Sequence, residues 1–240
     1  MWHMRALRNQ RLRVGGRILA AVFLGILVLS SVGGVVSNAN VLPLAIRSQP
    51  WAEGFLSHTT MWFASLIFIL IISRGNLRTY GFCIGRGYRV VTMIILGTAT
   101  GIALEGILKA IPNGAATLQL NYTFGQTVLF VWLYASFSEE IFTRGLIQGF
   151  LTPLSHYSIS FSRMQISLPV LVSALFFGLM HLAILTTGAA WLPVLCYVVF
   201  ASVLGIIAGY QREQTGSIFP AIIVHMFGNI GGHCTSMLLK

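Results

Sequence analysis

The stretch that decides the fold is "ASFSEEIFTRGLIQGFL", Ala135 to Leu151. It is strongly apolar, yet Glu139, Glu140 and Arg144 sit in its middle. On a water-soluble helix such groups would mark the solvent face. Inside a bilayer each is costly to bury and marks a paired or functional group.

The remainder of the chain says which solvent applies. Of 240 residues, 56% are hydrophobic and 8% charged, and the mean hydropathy is +0.82. A soluble domain carries roughly 25% charged residues. So few charges cannot cover a water-facing surface, and the expected fold is all-α, a polytopic transmembrane helix bundle. The net charge of +10 does not indicate a nucleic-acid partner, because the basic residues are clustered. Arg5, Arg8, Arg11, Arg13 and Arg17 crowd the N-terminus, and Arg74, Arg78, Arg86 and Arg89 fill one loop, the pattern of positive-inside loops. Cys83, Cys196 and Cys234 are odd in number and isolated, so no disulfide framework is expected. There is no aspartate among the 240 residues, which excludes catalysis by a pair of aspartates from this chain.

A span needs about 20 apolar residues. Seven runs qualify: Arg17–Val36, Phe55–Ser73, Val90–Ala110, Thr127–Leu151, Leu168–Thr187, Trp191–Tyr210 and Ser217–Leu239. Trp51 and Trp191 fall near span ends, where an amphipathic ring suits the interface. Three regions follow: a basic cytoplasmic arm (1–16), N-terminal transmembrane helices of unread role (17–126), and a core carrying the polar groups (127–240). The arm, the Arg74–Arg89 loop, the loop with Arg163 and the turn with Arg212 share one side and hold eleven of the fifteen basic residues. Arg47, Lys109 and Lys240 lie opposite. That asymmetry puts the N-terminus in the cytoplasm and predicts a cell-membrane protein whose active site opens toward the cytoplasm. The first span, followed by "SNAN", also has features of a cleavable signal peptide; the long arm and long apolar run favour an anchor. Gly97/Gly101, Gly145/Gly149, Gly205/Gly209 and Gly228/Gly232 each form a GxxxG pair, which lets helix backbones approach closely.

The polar groups deep in these spans form a short set: Glu139, Glu140, Arg144, His181, His225 and Asn229, with Glu105 and Lys109 nearer an end and His233 beyond. Glu140 and Arg144, four apart, can pair along one helix face. Glu139 is turned about 100° away and faces elsewhere. His225 and Asn229 share a face, as do Phe177 and His181. Taken singly, the Glu140–Arg144 pair reads as a register-fixing ion pair, His181 as a hydrogen-bonded core histidine, and Asn229 as interhelical glue. Glu105 and Lys109 read as snorkelling, and His58 and His233 as structural. Together, Glu139, His181, His225 and Asn229 suit hydrolysis. A glutamate in a low-dielectric site favours its protonated form more than in water, toward the range of a general base. With one histidine it can hold and deprotonate water; a second histidine and an amide can donate to an oxyanion. Two histidines and a glutamate also suit zinc. HExxH is absent and the ligands would come from three helices, so the metal-free reading is preferred, with no cofactor expected.

"EEIFTR" (Glu139–Arg144), "FGLMH" (Phe177–His181) and "HMFGN" (His225–Asn229) resemble, in order, the EExxxR, FxxxH and HxxxN motifs of the CPBP family, the CAAX proteases and bacteriocin-processing enzymes also called ABI. The resemblance runs from about Val131 to the C-terminus. It implies an intramembrane glutamate endopeptidase acting on a lipidated or membrane-associated peptide or protein, among membrane lipids. Glu139 and His181 would act on water and His225 and Asn229 would form the oxyanion hole, with Glu140, Arg144 and Phe177 supporting. One departure matters: members that cleave prenylated CAAX proteins commonly carry tyrosine just before the motif arginine, where this chain has Thr143. That puts the prenylated substrate in question and leaves the catalytic set intact. The competing readings are a non-catalytic immunity or scaffold protein of the same family and a proton-coupled transporter. The transporter should show internal symmetry, and none is evident.

Overall fold

The computed structural model describes residues 2–41, 43–112, 114, 121–161 and 164–239, with the backbone alone for 2–9 and 41. Arg163 and Lys240, counted in the charge asymmetry, lie outside the described residues.

Among the described residues, a helical rod covers each of the seven expected apolar runs. The rods are α1 (Trp2–Ser37), α2 (Ala52–Ser73), α3 (Val90–Ala110), α4 (residues 124–151), α5 (Leu168–Met180), α6 (Trp191–Thr215) and α7 (Phe219–Leu238). Among the described residues, five helices are long and apolar enough to cross a membrane: Gln10–Ser37, Ala52–Ser73, Val90–Ala110, Leu168–Thr187 and Trp191–Thr215. The chain is an integral membrane protein on that ground. The other two rods, α4 and α7, are those whose apolar runs are interrupted by the ionisable groups. α1 begins at Trp2, so Arg17 falls inside a helix instead of at its start. There it packs: its Nε donates to Phe150 O at 2.9 Å and its guanidinium lies 4.7 Å from the Phe150 ring centre.

Local sequence explains the boundaries that set up the site. Thr123 and Gln126 form a capping box that starts α4, satisfying backbone donors that the first turn leaves free. Ser167 caps α5 through Val170 N, with Pro169 in its first turn, where the missing N–H costs nothing. α6 stops at Gly216 in the left-handed region, a conformation glycine adopts without a Cβ penalty.

α4 is not a uniform α-helix. Thr127–Ala135 and Ile141–Gln148 are π-helical and flank an α-helical segment, Ser136–Glu140. Wider i→i+5 turns are rare and are frequently found at functional sites. Here they bracket the two glutamates.

The glycine pairs act at the crossings. A Cβ on Gly101 would lie 2.0 Å from Gly228 O, and one on Gly97 2.3 Å from Val224 O, so α3 and α7 touch backbone to backbone. A Cβ on Gly205 would lie 2.9 Å from Ala174 Cα across α6 and α5, and one on Gly149 2.6 Å from Tyr80 Cδ1. One apolar cluster joins α1, α2 and α4 through Ile69, Phe142, Leu146 and Ile147. Another joins α3, α5, α6 and α7 through Met93, Phe177, Leu204 and Val224. The polar site lies where these two clusters meet.

Two details differ from the sequence reading. On either side of residues 162–163, two strands pair antiparallel, β1 (Ser158–Phe161) with β2 (Met164–Ser167). Alternating "SISF" and "MQIS" supply the period of two that a strand needs. Arg212, read as part of a turn, is buried in the last turn of α6, donating to Thr79 O at 3.2 Å and Thr152 Oγ1 at 3.3 Å.

Candidate active site

Helix geometry assembles the first half of the site. Arg144 Nη1 donates to Glu140 Oε1 at 2.9 Å, and both side chains are fully buried. The same nitrogen donates to Thr143 Oγ1 at 2.5 Å, and Thr143 in turn donates to Glu139 O at 2.6 Å. Thr143, the position that departs from the family's tyrosine, is therefore turned to Arg144 and fully buried. The ring of Phe177 completes the cage, with the guanidinium 4.5 Å from its centre, a favourable contact in a desolvated setting.

Tertiary packing brings the histidines. His225, from α7, places Nδ1 2.9 Å from Glu140 Oε1. A carboxylate only accepts, so Nδ1 carries the hydrogen and Nε2 is the free nitrogen. Nε2 lies 3.9 Å from Glu139 Oε2. His181 stands where α5 tightens into a 3-10 turn, and its Nδ1 lies 2.8 Å from Phe177 O. By the same reasoning its Nε2 bears a lone pair. Phe177 spaces the two imidazoles, with ring centres 5.2 Å from each. Glu140 is thus shared by Arg144 and His225.

Glu139 hydrogen-bonds a different partner from Glu140. Its Oε2 is buried and has no hydrogen-bond partner among the described residues. Its Oε1 is engaged by a residue the sequence reading set aside: His58 Nε2, from α2, at 3.1 Å. No spacing rule links positions 58 and 139, so only the α2–α4 packing reveals the contact.

Asn229 is placed less simply. Its Nδ2 donates to Val131 O at 3.0 Å and to Ser136 Oγ at 3.1 Å. Both amide hydrogens are committed to α4, which is the interhelical role weighed for it singly.

A cleft of about 420 Å³ opens beside these groups, walled by Phe177, His181, Tyr197, His225 and Asn229 together with α3 backbone at Gly101. Glu139 is not part of that wall; it approaches the cleft through the 3.9 Å separation from His225. Thr100 and Leu104 also line it, about 15 and 21 Å along α3 from Val90 at 1.5 Å per residue. The cleft therefore sits deep between the ends of α3. Among the described residues no group of three or more His, Cys, Asp or Glu is arranged to hold a metal ion.

Residues 121–231 match the family model of the Rce1-like proteins, described as type II CAAX prenyl endopeptidases. Neither the curated proteins nor the solved structures gave a match. The matched segment contains Glu139, Glu140, Arg144, Phe177, His181, His225 and Asn229, and excludes α1 to α3.

Proposed function

We propose, for a chain that belongs through residues 121–231 to the Rce1-like type II CAAX prenyl endopeptidases of the CPBP family, that it hydrolyses a peptide bond of a prenylated, membrane-associated substrate with water activated by Glu139 and His181. The observation that carries this reading is the buried, unpartnered Oε2 of Glu139, 3.9 Å from the Nε2 of His225 in the cleft wall. A buried carboxylate oxygen without a donor is costly, and such costs persist at sites where the group has work to do. Glu139 Oε2 takes a proton from water while the water oxygen attacks the scissile carbonyl carbon. The carbonyl becomes an oxyanion, and the proton passes to the leaving nitrogen as the C–N bond breaks. His181, with its lone pair on Nε2, accepts a hydrogen bond from the same water and orients it.

His225 and Asn229 supply the oxyanion donors in this reading. Glu140 fixes the His225 tautomer so that Nε2 faces Glu139 and the cleft. Nε2 donates to the oxyanion when it carries a proton, with the ring held in place by Glu140 at Nδ1. Asn229 donates by releasing Ser136 Oγ while keeping Val131 O. Each such donor is worth about 3 kcal/mol in rate.

The basic arm and the Arg74–Arg89 loop lie on the cytoplasmic side in this reading; cysteine labelling that found the Arg74–Arg89 loop outside would overturn that topology.

The function is tested with purified protein in detergent, comparing wild type and Glu139→Ala on a quenched prenylated CAAX peptide and its unprenylated twin, each with and without chelator. Prenyl-dependent, chelator-resistant cleavage lost in the variant is the expected result. Cleavage abolished by chelator moves the site to the zinc reading. No cleavage by folded protein favours the non-catalytic scaffold.

A further inference from the structure

His58 lies in α2, outside the matched segment, and nothing in the three motifs refers to it. Its two nitrogens make unlike contacts. Nδ1 is 2.6 Å from Gly54 O, four residues earlier on the same helix. A backbone carbonyl has no hydrogen to give, so Nδ1 must be the donor. In neutral imidazole that leaves a lone pair on Nε2. Yet Nε2 is 3.1 Å from Glu139 Oε1, and an ionised carboxylate offers only lone pairs as well. Two lone pairs at that distance repel; the contact is a hydrogen bond only when one additional proton lies between the two side chains.

We propose that His58 is the positioning residue of the catalytic carboxylate, sharing one proton with Glu139 Oε1 and so leaving Oε2 as the oxygen that acts on water. This rests on the reading of Glu139 as the base.

The surroundings support the assignment. The groups that face Glu139 are His58 from α2, His181 at the end of α5 and His225 from α7, with Arg144 and Glu140 on its own rod. Of these, Arg144 is spent on Glu140, and His225 Nε2 is 3.9 Å away. Among the described residues His58 is therefore the group that hydrogen-bonds the Glu139 side chain. His58 is itself held in register by its neighbour: Thr59 Oγ1 and Trp62 Nε1 meet Tyr134 Oη at 2.5 and 3.0 Å, latching α2 to α4. The histidine that orients a carboxylate here inverts the familiar arrangement in which a carboxylate orients a histidine.

Two arms test the proposal on the full-length protein in detergent. In the first, kcat and KM for the prenylated peptide are compared among wild type, His58→Ala, His58→Gln and Glu139→Ala. His58→Ala is expected to lower kcat roughly 10- to 100-fold, less than loss of the base itself, with KM unchanged. His58→Gln carries an N–H near the Nε2 place and should recover most of that loss. Wild-type kcat in His58→Ala, or a rise in KM alone, overturns the proposal. Cleavage that survives Glu139→Ala overturns the functional reading instead. The second arm needs no substrate: histidine ¹⁵N spectra of wild type and Glu139→Gln, with His58 assigned by its loss in His58→Gln. A protonated or proton-sharing Nε2 in wild type that becomes a bare, pyridine-type nitrogen in Glu139→Gln supports the shared proton. A bare Nε2 in both overturns it, whether or not any variant cleaves or His58→Ala folds.

Discussion

Replacing Glu140 by leucine, Arg144 by methionine, and then both, separates what the buried pair does for stability from what it does for the site. Both side chains are fully buried. With Glu140 gone, Arg144 keeps the Thr143 hydroxyl and the Phe177 ring, while its Nε and Nη2 already lack partners among the described residues. An uncompensated buried charge of this kind costs about 3–5 kcal/mol. His225 Nδ1 loses its acceptor as well, adding about 1–3 kcal/mol. The double variant removes both charges at similar volume, so only the His225 cost of about 1–3 kcal/mol remains. It should therefore be more stable than Glu140→Leu by about 3–5 kcal/mol, which at 2–4 °C per kcal/mol for a chain of this size is about 6–20 °C in apparent midpoint. Thermal unfolding in one detergent measures this. Cleavage should be lost in both, since neither orients His225. A Glu140→Leu midpoint near wild type, or a double variant as unstable as Glu140→Leu, would refute the uncompensated-charge argument.

Three further outcomes are expected. Gly101→Ala places a methyl 2.0 Å from Gly228 O and should cost about 1–3 kcal/mol by forcing α3 from α7; Gly106→Ala, with open space around its Cβ, should be neutral or gain up to about 1 kcal/mol by helix propensity. Paired midpoints distinguish them. Gly178→Ala meets Ser202 Oγ at 2.0 Å and Val198 O at 2.6 Å, three residues before His181. It should lower kcat about 100-fold through a displacement near 1 Å, while circular dichroism shows the helices intact. Tyr134→Phe removes the acceptor of Trp62 Nε1 and should cost about 1–3 kcal/mol; a midpoint equal to wild type would show that the α2–α4 latch is not needed.

How much of this was legible before the structure follows from the range of each interaction. Glu140 with Arg144, Phe177 with His181, and the outward turn of Glu139 are consequences of 3.6 residues per turn and stand in the sequence itself. The glycine pairs were legible too, because a missing Cβ is a property of the residue. What they touch was not: Gly101 against Gly228 depends on how α3 and α7 cross. The π-turns of α4 have no sequence signal that we can name.

The sequence by itself determined the solvent, the all-α class and the three motif segments, because composition and helical period are local quantities. Only the tertiary structure decided which imidazole each carboxylate meets. It gave Glu140 to His225, gave Glu139 to His58, committed Asn229 to α4, and turned Thr143 inward to Arg144. Residues 58 and 139 are joined by nothing in the chain between them. Their contact exists because α2 and α4 pack in one register, and register is fixed by the summed packing of whole helices, a sum that no short stretch of sequence contains.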